Sequence, residues 1–130
     1  MSFQIVAFFL FVALYLKKTF MLHDTISKIE AKLRGTSSIT EERRAELVKL
    51  VSTLKGEIAS LSRTHDEQAQ SIAGFTELST HEAMREEKNP ELLKLSLQGL
   101  SSSVEGFEKS HPQLVGLVNR IATTLSNMGI

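Results

Sequence analysis

Residues 90–110 read PELLKLSLQGLSSSVEGFEKS, and they place Leu93, Leu97, Leu100, Val104 and Phe107 four, three, four and three positions apart. A spacing that alternates between three and four returns each side chain to one face of an α-helix, and it is the seam spacing of coiled coils. Asn89 precedes the stretch as an N-cap, and Pro90 takes the first helical position, where its missing N–H costs nothing. Beside the apolar stripe, Ser96, Gly99, Ser103, Gly106 and Ser110 form a parallel line of small residues. Two readings of that line stand open: it lets a neighbouring helix approach closely, or it is an ordinary exposed face.

The same pattern recurs on both sides. Leu114, Val118, Ile121, Leu125 and Met128 repeat at four, three, four and three after a break at Ser110, His111 and Pro112. Upstream, Leu47, Val51, Leu54, Ile58 and Leu61 line a helix that Thr40 caps, with Glu41 and Glu42 in the first turn, where the helix dipole favours acids. Leu22, Ile26, Ile29 and Leu33 make a further stripe that Gly35 terminates. A helix from about Asp66 to Glu87 carries only the narrow stripe Ala69, Ile72, Ala73, Phe75 and Leu78, so it is expected to be the most exposed. The run Thr64 to Glu67 reads as its capping box.

No segment alternates with period two, and no Asn-Gly or Asp-Gly hairpin signal is present, so a sheet is unsupported. The expected fold is all-α: an antiparallel bundle, or helical hairpins, of four to five amphipathic helices spanning residues 21–130, preceded by a hydrophobic helix in residues 1–20. Burying such stripes drives the assembly, at roughly 1.5 to 3 kcal/mol per large side chain. The packing interface is assigned to Leu93, Leu97, Leu100, Val104, Phe107, Leu114, Val118, Ile121 and Leu125. Partners are expected to be protein helices, including a second copy of the chain.

Residues 3–16, FQIVAFFLFVALYL, hold one polar residue, Gln4, and Lys17 and Lys18 follow at once. As a helix these residues rise about 21 Å, short of a hydrocarbon core of roughly 30 Å. Phe20, Met21 and Leu22 lengthen the run to about 30 Å if both lysines snorkel. Read as an anchor through residues 3–22, the segment attaches the chain to the inner membrane, and the positive-inside rule leaves the body in the cytoplasm. The competing reading makes Met21 the natural start. A cleaved signal fits less well, because MSFQ has no basic residue and no Ala-x-Ala site follows.

Composition removes several functional classes. With 42% apolar and 23% charged residues, the 130-residue chain falls in the globular range and suits one domain. Its 15 basic and 15 acidic residues cancel; without Lys17 and Lys18 the remainder holds 13 against 15, so no basic excess points to nucleic acid. The mixed-sign stretch RGTSSITEERR has no interleaved aromatics and does not change this. The absence of cysteine excludes disulfides, thiolate metal sites and cysteine nucleophiles.

Catalytic patterns fail on inspection. His81 and Glu82 open a zinc-protease motif, but Arg85 stands where its second histidine should be. His23, His65, His81 and His111 are scattered, and His65 and His111 fall at helix starts. The pairs Glu41–Glu42 and Glu86–Glu87 point about 100° apart on a helix, which suits solvated charge better than acid–base chemistry. No GxSxG, GxGxxG or P-loop is present. The chain is expected to be neither an enzyme nor a holder of metal or cofactor.

The stretch SIAGFTELSTHEAMREEKNPELLKLSLQGLSSSVEGFEKSHPQLVGLVNRIATTLSNMGI, residues 71–130, resembles a small family known as domain of unknown function four four zero four. Its most distinctive pieces are Phe107, His111, Pro112 and Leu114, followed by Leu125, Met128, Gly129 and Ile130. The resemblance runs over about residues 21–130. It implies a bacterial source, a helical fold and a start near Met21, and it carries no activity.

Overall fold

A computed structural model describes residues 3–128, with the side chains of residues 15–20 left out. Five helices make up the described residues: α1 (Phe3–Gly35), α2 (Glu41–Leu61), α3 (Asp66–Ala83), α4 (Pro90–Ser103) and α5 (Pro112–Met128). The chain is all-α. Caps fall where the sequence places two of them: the Thr40 hydroxyl accepts from the Arg43 amide at 3.2 Å, and Asn89 Oδ1 accepts from the Leu92 amide at 3.1 Å. α1 ends at Gly35 as expected, and the Arg44 guanidinium reaches back from α2 to donate to the carbonyls of Leu33, Arg34 and Thr36. A cation at these carbonyls satisfies acceptors that the helix itself cannot, and it faces the negative end of the dipole.

The helices join as a bundle. α1 packs on α2 and α3, α4 packs on α3 and α5, α2 also meets α5, and α3 touches all four others. The stripes read from the sequence form its core: Leu22, Ile26, Ile29 and Leu33 from α1, Leu47 to Leu61 from α2, and Leu114 to Leu125 from α5 are buried.

Several expectations are corrected. α1 is one continuous helix, so residues 3–20 and the stripe from Leu22 belong to the same element. Nothing between them breaks a helix, since no glycine, proline or capping residue with a following acid intervenes. α3 is the centre of the bundle and not its most exposed part: Ala69, Ile72, Ala73, Thr76, Ser79, Thr80, Glu82 and Ala83 are all buried. Its small side chains let neighbours close in. Buried hydroxyls find partners one turn back, with Thr76 Oγ1 donating to the Ile72 carbonyl at 2.7 Å and Thr80 Oγ1 to the Thr76 carbonyl at 2.8 Å.

α3 also stops at Ala83, short of Glu87, because Glu86 and Glu87 would put negative charge at the negative end of the helix. The Lys88 ammonium instead donates to the Ala83 carbonyl. The Thr64–Glu67 capping box does not form: His65 occupies the N-cap and its side chain caps no backbone amide, and the Thr64 hydroxyl pairs with His65 Nδ1 at 2.8 Å. α4 ends at Ser103, not near Phe107, and the chain turns through Gly106 at φ 92°, a left-handed conformation that favours glycine. Val104 and Phe107 nevertheless stay buried, delivered to the core by the turn.

Candidate functional site

The residues assigned from sequence to a packing interface lie inside the bundle. Leu93, Leu100, Val104, Phe107, Leu114, Val118, Ile121 and Leu125 are buried, and Leu97 is half-buried against them. They bring α4 and the turn after it onto α3 and α5. Gly99 explains part of the closeness: a Cβ there would come within 2.8 Å of Phe75 Cζ, with Cε1 and Cδ1 nearer still. Of the small-residue line, Gly99 and the buried Ser96 are thus packing positions, while Gly106 serves the turn and Ser110 is exposed.

The surface that stands out is the N-terminal half of α1. Phe3, Ile5, Val6, Phe8, Phe9, Leu10, Phe11 and Leu14 are exposed, Phe3 to 85% and Phe11 to 69%, whereas the stripes of the second half of α1 and of α2 are buried. α1 has 33 residues against 21 in α2, so it rises about 50 Å beside a partner of about 32 Å and outruns the body. Its second half is fixed by Ile26, Ile29 and Leu33, each no more than 2% exposed. The result is an apolar arm on a rigid base. Phe8 and Phe9 meet edge to face within it, with ring centroids 6.2 Å apart.

The expected snorkelling of Lys17 and Lys18, and the contribution of Phe20, fall on side chains outside those described. Gly129 and Ile130 also lie outside. Among the described residues, no helix is long and apolar enough to cross a membrane, so the spanning anchor is not supported.

Where the arm meets the body, α1 and α3 flank a groove of about 660 Å³. Met21, Leu22 and Ile29 line it from α1, and Ala73, Gly74 and Leu78 from α3. Lys32 and His81 also line it, and Lys32 Nζ donates to His81 Nδ1 at 2.7 Å. Next to His81 in the chain, Glu82 pairs with Arg85 at 2.8 Å. Arg85, which spoils the zinc-protease pattern, thereby neutralises a buried carboxylate. His81 is thus tied to Lys32 and stands 3.9 Å from the Glu82 carboxylate.

His65 and His111 do come together. Their rings lie 5.9 Å apart, and each packs edge-on to Phe107, at 5.4 Å and 5.3 Å. Each Nδ1 is held by the hydroxyl of the preceding residue, Thr64 or Ser110, at 2.8 Å. The cluster pins the start of α3 to the turn before α5. Sequence reading placed both histidines at helix starts but had no means of pairing positions so far apart in the chain. Among the described residues, no group of three or more histidine, aspartate or glutamate side chains could hold a metal ion.

α1 and α2 share a polar seam. Lys55 Nζ and Ser52 Oγ each donate to Glu30 at 3.1 Å, and Arg34 stands 3.8 Å away. Partial burial pushes the Glu30 carboxyl up, but these hydrogen bonds and the charges of Lys55 and Arg34 outweigh it and hold the group below its ordinary 4.5.

No curated protein and no solved structure matches the chain. The family described as Domain of unknown function (DUF4404) matches residues 54–130, from the middle of α2 through α3, α4 and α5. The match spans more than half of the chain and holds the whole His65–Phe107–His111 cluster, and the chain belongs to that family.

Proposed function

We propose that this protein is a non-catalytic docking module, in which the bundle is a rigid base and the apolar arm of α1 is the working element. One observation carries the reading. Eight large apolar side chains between Phe3 and Leu14 are exposed on a helix whose other end is locked into the core. Leaving such a surface in water is unfavourable by roughly 25 cal/mol per Å² of apolar area, so a partner that covers it gains in proportion. A helix continuous with the core also gives the partner a fixed position relative to the body.

The arm is remote from the assigned interface, whose residues are spent on internal packing. Self-association, if it occurs, therefore works through the arm and not through the stripes of α4 and α5. Light scattering on the full chain in detergent-free buffer at micromolar concentration tests the reading. The wild type is expected to form assemblies, and a Phe8→Glu, Phe11→Glu variant with unchanged helical circular dichroism is expected to be monomeric. A wild-type chain that stays strictly monomeric would remove self-association through the arm.

A further inference from the structure

We infer that the arm's partner is a lipid bilayer, which the arm enters end-on and only to about the depth of one leaflet. The inference rests on reading the arm as the docking element. It commits to lipid because of how the apolar residues are arranged around the helix axis. At about 100° per residue, Phe3, Ile5, Val6, Phe8, Phe9, Leu10, Phe11 and Leu14 occupy the full circle and leave no gap wider than about 60°. A second helix covers one stripe, which is the arrangement of the amphipathic helices in the bundle itself. Fluid acyl chains cover every side.

The same arrangement fixes orientation. A helix lying in the plane of the interface needs a polar face towards the headgroups, and the arm's only polar residue is Gln4. From Phe3 to Leu16 the helix rises about 21 Å, more than the roughly 15 Å of one leaflet's hydrocarbon and less than the roughly 30 Å of both. In sequence, Lys17 and Lys18 follow directly, and residues 1–20 hold no acid, so the register that reaches the headgroups is cationic and favours anionic lipid.

The experiment uses the full chain and vesicles of phosphatidylethanolamine and phosphatidylglycerol in low salt. Flotation with these vesicles is expected, with weaker flotation on phosphatidylcholine alone and loss of most binding in the Phe8→Glu, Phe11→Glu variant. Single tryptophans, absent from the natural sequence, then report depth: Phe3→Trp is expected to be quenched best by lipids brominated near the acyl terminus, and Leu14→Trp by lipids brominated near the headgroup. Equal shallow quenching at both positions would mean an in-plane helix, and headgroup-level quenching of Phe3→Trp from the far side would mean a span; either overturns the proposal. If the chain remains a defined oligomer beside the vesicles and does not float, the lipid partner is excluded while the docking arm survives with a second copy as its occupant. A monomer that does not float removes both.

Discussion

At the scale of single residues, glycines of one type have opposite roles. Gly99 sits against the Phe75 ring, while Gly56 in α2 has nothing within 4 Å of where a Cβ would stand. Adding a methyl at Gly99 forces the ring or the helix to move, at a typical cost of about 1 to 3 kcal/mol, against a gain of up to about 1 kcal/mol in helix propensity. Gly99→Ala is therefore expected to destabilise the protein, and Gly56→Ala to stabilise it by up to about 1 kcal/mol, both read by urea denaturation. A gain in both variants would show that α3 and α4 are not in the close contact described. Glu30 makes a pH-dependent contribution. Its folded pKa is depressed, so its stabilisation is fully present above the ordinary 4.5 and is lost as pH falls through the lower folded value. Glu30→Gln is expected to be less stable than wild type near neutrality by about 1 kcal/mol, with the two converging in acid once the wild-type carboxyl is protonated. A gap between the two proteins that persists at strongly acid pH would assign the effect to something other than the carboxylate charge.

At the scale of the element, α1 is two helices in energetic terms and one in geometry. The half from Leu22 to Gly35 is held by burial, whereas the described side chains from Phe3 to Leu14 are exposed apart from the half-buried Val12. Replacing Ile26, which is wholly buried, with alanine is expected to cost about 2 to 5 kcal/mol, while Phe8→Ser with Phe11→Ser should leave the thermal midpoint of the bundle within a degree or two. Calorimetry on the two variants checks this, and a large drop in the arm variant would mean that the arm packs on the body. Four stripes were legible in the sequence because their leucines, isoleucines and valines recur at helical spacing and lose the most by exposure. The continuity of α1 was also written there, as the lack of any breaker between Leu16 and Leu22, but the change from all-round to one-sided hydrophobicity suggested two units. Element ends were less legible where a partner far away in sequence decides them. Arg44 completes α1 from the next helix, and the positive φ at Gly106 ends a heptad run that sequence alone would extend to Phe107.

At the scale of the whole molecule, the bundle is organised on a helix that hydropathy ranks as unremarkable. α3 contacts every other helix, yet its buried face is made largely of alanine, serine and threonine. Such a face is invisible to a search for leucine stripes, because its burial depends on neighbours that bring large side chains to small ones and on hydroxyls that bond within their own helix. Thr76 and Thr80 satisfy their hydroxyls on carbonyls one turn back, whereas the buried Ser79 Oγ has no hydrogen-bond partner. A buried hydroxyl without a partner costs about 1 to 3 kcal/mol, so Ser79→Ala is expected to raise stability by an amount of that order, while removing the threonine hydroxyls should bring no comparable gain. Because unfolding α3 strips a face from all four neighbours, its interior amides should exchange with solvent only through global opening, and those of the arm should exchange fastest. Hydrogen exchange at successive urea concentrations separates the two cases: α3 amides that report a free energy well below the global value would show that the bundle's centre lies elsewhere, in the leucine-rich pairing of α2 with α5.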